Sequence, residues 1–214
     1  MKPFIPRIYP ILDSSRIPQV GREEFLCRLA KSLAEAGVQL LEYRNKFSPD
    51  EELLSDAEAL RKALPAGQVK LILDDRADLV DRVGFDGVHV DTGDMSPREA
   101  RRLLGPERII GTFGGSDSLV AGVLNEPADY FSIGPVFTTT TKQTDKAPIG
   151  VGGVRKLREE AGPNAVLVAA AGITLETAPE VLAAGADTVA VAAALFGASD
   201  PAAEFARWLR KLDA

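Results

Sequence analysis

The sequence predicts a single α/β domain over residues 1–214, a (β/α)8 TIM barrel, and three observations carry that expectation. Short apolar runs that suit buried parallel strands alternate with longer amphipathic ones. Gly or Pro often marks the junctions. The alternation gives eight strand–helix pairs of about 27 residues, near the lower size at which such a barrel closes.

The first pair is RIYPILD followed by EEFLCRLAKSLAEAG, whose apolar residues recur at helical spacing. VQLLEYRN leads into SPDEELLSDAEALRKAL, which opens on residue types that start helices. VKLILDD precedes RADLVDRVG, and GVHV precedes SPREARRLLG. RIIGTFG is followed by SDSLVAGVLNE, and YFSIGPVF, across a polar loop, by VGGVRKLREEAG. AVLVAAAG leads to TLETAPEVLAAG, and TVAVAAALF to DPAAEFARWLRKL, with Thr and Asp-Pro starts. An open doubly wound sheet is the other arrangement the alternation allows. It would use fewer strands and favour a Gly-rich turn after the first, and ILDSSRIPQVG has no GxGxxG.

Composition narrows the function classes. A formal charge of -6 with a pI near 5.0 argues against nucleic acid as a partner, so an anionic ligand needs a local basic site. The single cysteine, Cys27, excludes an internal disulfide and a cysteine-rich zinc site, and reads as a small packed hydrophobe. MKPFIPRIYPILDSSRIPQV lacks the apolar core of a signal peptide, and no later run reaches the roughly 18 apolar residues of a membrane span. The expectation is a cytoplasmic protein with no membrane partner. The helix faces are mixed in charge, without a long apolar stripe, which leaves a homo-oligomer open.

In a barrel of this class the working residues gather at the C-terminal ends of the strands. Alternation along the second strand sends Glu42, Arg44 and Lys46 toward the axis. Arg44 can fork onto an oxyanion and Lys46 can add a point charge, which suits a phosphate or diphosphate; an internal ion-pair network is the competing reading. Asp74 and Asp75 end the third strand, and the fourth leads through His89 and Asp91 to Asp94. Hard oxygen ligands from neighbouring strands suit Mg2+, while simple helix capping by Asp75 and Asp94 is the alternative. His89, the one histidine, reads as packed or hydrogen-bonded, and no Ser-His-Asp or Cys-His arrangement is visible. The small residues of VAAAGIT, with Gly172, and of AVAAALFG, with Ala192 and Ala193, let backbone approach a phosphate; tighter helix–strand packing would use them equally. FTTTTKQTDKAPIG places Thr139, Thr141 and Lys142 after the sixth strand, in a loop that suits a lid over bound phosphates.

EYRNK, LDDRADLVDRVGFDGVHVDTGDMS, RIIGTFGGS, ADYFSIGPVFTTTTK, VAAAGIT and GADTVAVAAALF, in this order over about residues 8 to 210, resemble the thiamine phosphate synthase and thiazole tautomerase superfamily. The resemblance implies a transferase, active with Mg2+, that joins a hydroxymethylpyrimidine diphosphate to a thiazole phosphate and releases pyrophosphate. It implies that Arg44, Lys46 and Lys142 serve the diphosphate and that Asp75 and Asp94 hold the metal. Thr139, Thr141 and the backbone at Gly172 would serve the thiazole phosphate. Glu42, Asp74, Ala192 and Ala193 complete the expected substrate site. Glu42 stands where the family usually has glutamine, Asp74 where it has asparagine, Phe113 and Ala193 where it has serine, and Ala171 where it has glycine. Thr138 and Thr140 replace usual prolines. A thiazole tautomerase-like enzyme relies on a histidine after the fifth strand, which RIIGTFGGSDS lacks. A binding protein without turnover and an unrelated phosphosugar isomerase are further readings.

Overall fold

The computed structural model describes residues 5–64, 67–139 and 145–212. Eight strands, β1 (Ile8–Asp13), β2 (Leu40–Arg44), β3 (Lys70–Asp74), β4 (Gly87–Val90), β5 (Ile109–Gly115), β6 (Tyr130–Ile133), β7 (Leu167–Ala170) and β8 (Thr188–Val191), run parallel. They close in sequence order into the expected barrel. The helices are α1 (Arg22–Glu35), α2 (Asp50–Ala63), α3 (Val80–Val83), α4 (Pro97–Leu104), α5 (Gly150–Ala161), α6 (Ala178–Ala183), α7 (Ala193–Phe196) and α8 (Pro201–Leu212).

Strand alternation sorts the side chains into two layers. Outward residues such as Leu41, Tyr43, Leu71 and Leu73 pack with Leu26, Leu60, Val154 and Trp208 of the helices. Tyr9, Leu40, Ile72, Tyr130, Val166, Val168 and Ala190 fill the interior. The pairings Ile11 with Glu42 and Glu42 with Ile72 put Glu42 in the inner layer; a one-residue slip would drive its carboxylate among the helices. Gly111 makes room for this layer, because a Cβ there would lie 1.9 Å from Cζ of Tyr130. At the opposite face, Asp86, Asp129 and Asp187 accept from the backbone N–H of Leu71, Ile110 and Leu167 and pair with Arg61, Arg101 and Arg158. These ties fasten each helix end to the next strand.

Three sequence expectations give way. SDSLVAGVLNE holds only a 3-10 turn, Val123–Asn125, because Gly122 takes φ 76° and breaks any helical continuation. Its start is instead pinned by a bridge from Gly115 to Leu119, whose N–H reaches Glu160 Oε2 at 3.0 Å. TVAVAAALF is a strand only to Val191; its alanines, strong helix formers, turn at Ala192 into α7. YFSIGPVF likewise ends as a strand at Ile133, before Gly134 and Pro135. Among the described residues no helix is long and apolar enough to cross a membrane.

Candidate active site

The strand ends open into a cavity of about 590 Å³ whose lining includes Glu42, Arg44, Lys46, Asp74, Thr139, Gly172, Ala192 and Ala193. Thr141 and Lys142 lie outside the described residues.

Charge gathers on the side of β1 to β4. Arg44 Nη1 donates to Asp13 Oδ2, across the register that pairs these two residues, and its Nε lies 3.5 Å from Asp74 Oδ2. Lys46 Nζ lies 3.2 Å from Asp74 Oδ2 and donates to Asp75 Oδ2. The ion-pair reading and the anion-site reading therefore describe the same residues: both cations are paired, and both line the cavity. The loop carrying Lys46 is held from beneath. Arg22 grips Asp56 through two bonds of 2.7 Å, Tyr43 donates to Asp56 at 2.5 Å, Asn45 donates to Tyr43 at 3.0 Å, and Ser48 N–H closes on Asn45 Oδ1 at 3.0 Å.

Burial raises the Asp74 carboxyl to about 6, even against the opposing charge of Lys46. Glu42 lies deeper and is pushed up to about 8, by burial first and then by the negative charge of Asp74. Its Oε2 accepts from the Tyr9 hydroxyl at 2.7 Å; Tyr9 bonds Tyr130 at 2.7 Å, and Tyr130 meets His89 Nδ1 at 3.1 Å. His89 stacks on Tyr130 with ring centroids 5.6 Å apart, so it is hydrogen-bonded and packed as its place in β4 suggests. Tyr9 and Tyr130, floor residues of the cavity, escaped the sequence reading because a tyrosine in an apolar strand reads as core.

Neither Asp75 nor Asp94 caps a helix. Ser96 caps α4 in a reciprocal box with Glu99, and the turn Ala77–Leu79 has no side-chain cap. Asp75 instead takes a left-handed φ of 65°, tolerable for aspartate, with its N–H on the His89 carbonyl at 2.8 Å. Asp94 Oδ2 accepts from Asp91 N–H at 2.9 Å, and burial, then the adjoining Asp75 carboxyl, raise its proton affinity. Side by side, two ionised carboxylates need a cation or a proton between them. Lys46 serves Asp75 Oδ2, while Asp75 Oδ1 is buried with no hydrogen-bond donor among the described residues. Among the described residues no cluster of three or more His, Cys, Asp or Glu could hold a metal. Two carboxylates with an open remainder fit Mg2+, which keeps waters and takes substrate oxygens for its other positions.

On the side of β6 to β8 the wall is backbone. Phe137 N–H donates to Ala171 O at 3.1 Å and Val136 N–H to Ala170 O at 2.9 Å, fastening the loop after β6 to the loop after β7. Ala171 and Gly172 both take left-handed φ, 75° and 68°. A Cβ at Gly172 would lie 2.5 Å from the Thr138 carbonyl, so glycine permits this close approach. Ala193 begins α7 beside Ala192, which places small residues and main chain at the end of β8.

The family model described as thiamine monophosphate synthase matches residues 8–195 of this chain. The chain belongs to this family. It is 40% identical over 191 residues to the thiamine-phosphate synthase of Koribacter versatilis (strain Ellin345), covering 89% of each chain. It is 38% identical over 192 residues to that of Agrobacterium fabrum, covering 88% of this chain and 87% of the relative. The solved thiamine phosphate pyrophosphorylase from Pyrococcus furiosus superposes with a TM-score of 0.77 at 28% identity, covering 97% of this chain and 95% of that one. Thiamine-phosphate synthases are transferases, and membership makes this chain an enzyme of that class. Within the family's barrel, Glu42 of β2, Asp74 of β3 and the backbone wall of β6 to β8 face one shared cavity.

Proposed function

We propose that this chain is a working thiamine-phosphate synthase: it joins a hydroxymethylpyrimidine diphosphate to a thiazole phosphate and releases pyrophosphate, in the cytoplasm. The observation that carries the reading is the meeting of Arg44, Lys46, Asp74 and Asp75 at one edge of a cavity whose far wall is glycine- and alanine-lined backbone. One edge suits a diphosphate with its cation, and the other suits a phosphate held by N–H groups.

In the reaction the bond from the pyrimidine methylene to the diphosphate oxygen breaks, and its electron pair leaves with pyrophosphate. The thiazole nitrogen lone pair then forms the new C–N bond. Arg44 and Lys46 exchange Asp74 for the diphosphate oxygens as charge builds on the leaving group, which is where stabilisation accelerates the step. Glu42, held by Tyr9, offers a polar contact on the cavity floor to the aminopyrimidine, and the apolar side of the cavity keeps water from the cationic methylene. Asp75 and Asp94 would hold Mg2+, whose contribution when bound is charge neutralisation on the diphosphate. Thr139, Thr141 and the Gly172 main chain serve the thiazole phosphate, and Lys142, from the same loop as the threonines, serves the diphosphate.

Purified protein with Mg2+ and both substrates is expected to release pyrophosphate in step with thiamine phosphate. Tight thiamine phosphate binding without pyrophosphate release above background would instead identify a binding protein.

A further inference from the structure

Glu42 is 4% exposed, and its Oε2 accepts from the Tyr9 hydroxyl at 2.7 Å. Each phenol has one hydrogen to donate. With that of Tyr9 directed to Glu42, the 2.7 Å contact between the tyrosines runs from Tyr130 to Tyr9. The Tyr130 oxygen in turn accepts from His89 Nδ1–H at 3.1 Å. One polarised chain of hydrogen bonds thus crosses the barrel interior from β4 through β6 and β1 to β2. Gly111 leaves it room, since a Cβ there would lie 2.2 Å from the Tyr130 hydroxyl.

This chain decides which oxygen of Glu42 holds a hydrogen. Arg44 and Lys46 bond to Asp13, Asp74 and Asp75, and among the described residues no ion pair reaches Glu42. A buried carboxyl with no counter-ion, set near the negative charge of Asp74, keeps its proton. Oε2 is occupied by Tyr9, so the proton sits on Oε1, which bonds no described residue, and the side chain lines the cavity.

We propose that Tyr9 is a positioning residue for the pyrimidine: backed by Tyr130 and His89, it ties Oε2 of Glu42 and leaves Oε1–H as a donor to a ring nitrogen of the substrate. The inference rests on the transferase reading and names how the pyrimidine of that reading is recognised. It also accounts for a glutamate where the family usually has glutamine: in this form Glu42 acts as an amide would, one atom accepting from Tyr9 and the other donating.

Calorimetry of the hydroxymethylpyrimidine diphosphate with Mg2+, without the thiazole phosphate, tests this between pH 7 and 9. The groups facing Glu42 are Tyr9 of β1, Arg44 and Lys46 of β2 and its loop, Asp74 of β3 and Tyr130 of β6, with His89 of β4 behind Tyr130. Burial and Asp74 outweigh the two cations and raise Glu42 to about 8, so the donor is mostly present at pH 7 and mostly lost at pH 9. Relative to Glu42→Gln, whose amide donates throughout, native affinity is expected to fall about tenfold over that range. Tyr9→Phe removes a bond that favours ionised Glu42, so its fall is expected at higher pH, after a loss of about three- to tenfold at pH 7. A purely structural Tyr9 would weaken binding and leave the pH profile in place. A native profile parallel to that of Glu42→Gln, an unmoved profile in Tyr9→Phe, or no binding of the pyrimidine diphosphate by native protein would each overturn the proposal. If the profiles move as expected while native protein makes no thiamine phosphate, the positioning role stands and the transferase reading falls.

Discussion

The Lys46 ammonium lies 3.2 Å from Asp74 Oδ2, so a cation facing the cavity is already engaged by a carboxylate facing the same way. Arg44 Nε, at 3.5 Å, is drawn to the same oxygen. A diphosphate must therefore displace Asp74 from both. Asp74→Asn keeps the shape, removes the charge, and is expected to lower the KM for the pyrimidine diphosphate about fivefold, the scale of a 1 kcal/mol change. Steady-state kinetics of pyrophosphate release checks this, and a rise in KM would show that Asp74 assists binding.

Glu42 makes stability depend on pH. Burial and the charge of Asp74 raise its folded pKa from 4.5 to about 8, so across that window the folded protein binds more protons than the unfolded chain. Stability then falls as pH rises from about 4.5 toward 8, the reverse of an ordinary ion-paired carboxylate. Glu42→Gln cannot ionise and still accepts from Tyr9. Its melting temperature is expected to exceed that of the native protein at pH 8, by about 1–3 kcal/mol in stability, and to converge with it near pH 5. Parallel melting curves for the two proteins from pH 5 to 8 would contradict this.

Much of this architecture was legible because its physics is local. VKLILDD must be buried on both faces, which in a chain of alternating elements means a parallel strand between helices. Charges at inward positions of such a strand are costly, so Arg44, Lys46 and Asp74 announced a mouth. Periodicity alone cannot separate a short apolar strand from a short helix, which is why the turn from β8 into α7 was hidden in VAAALF. Gly122 stopped a helix that the apolar spacing of SDSLVAGVLNE suggests. Asp13, Tyr9 and Tyr130 were missed for a common reason: each acquires its role from a partner far along the chain, Arg44, Glu42 or His89.

Ala171 carries a strain that glycine would relieve. Its φ of 75° costs an L-residue about 1–2 kcal/mol, while glycine there gives part of that back through a freer unfolded chain. Ala171→Gly is expected to stabilise the protein by about 0.5–1 kcal/mol, read by denaturant unfolding. Gly172→Ala is the opposite case, since its Cβ would sit 2.5 Å from the Thr138 carbonyl at a φ of 68°. It is expected to destabilise by about 1–3 kcal/mol and to raise the KM for thiazole phosphate more than that for the diphosphate. Equal effects on both KM values would place the damage outside the proposed phosphate wall.

Asp13 and Asp74 flank the same guanidinium but do different work. Asp74 lines the cavity, and Asp13 is not part of that lining. Asp13 Oδ1 is fixed by Ser15, through N–H at 3.0 Å and Oγ at 2.6 Å, while Oδ2 holds Arg44 from behind. Partial burial opposes ionisation of Asp13, yet the Ser15 bonds and the Arg44 charge outweigh it and hold its pKa below the usual 3.8. Its contribution to stability is therefore present above that value and lost as pH falls below it. Asp13→Asn still accepts from Ser15 but loosens Arg44, which then leans further toward Asp74. The KM for the pyrimidine diphosphate is expected to rise about three- to tenfold, opposite in sign to Asp74→Asn. In Asp13→Asn/Asp74→Asn the two effects should partly cancel, since both act through Arg44. Strict additivity in that double-mutant cycle would show that the two carboxylates do not share the arginine in the working enzyme.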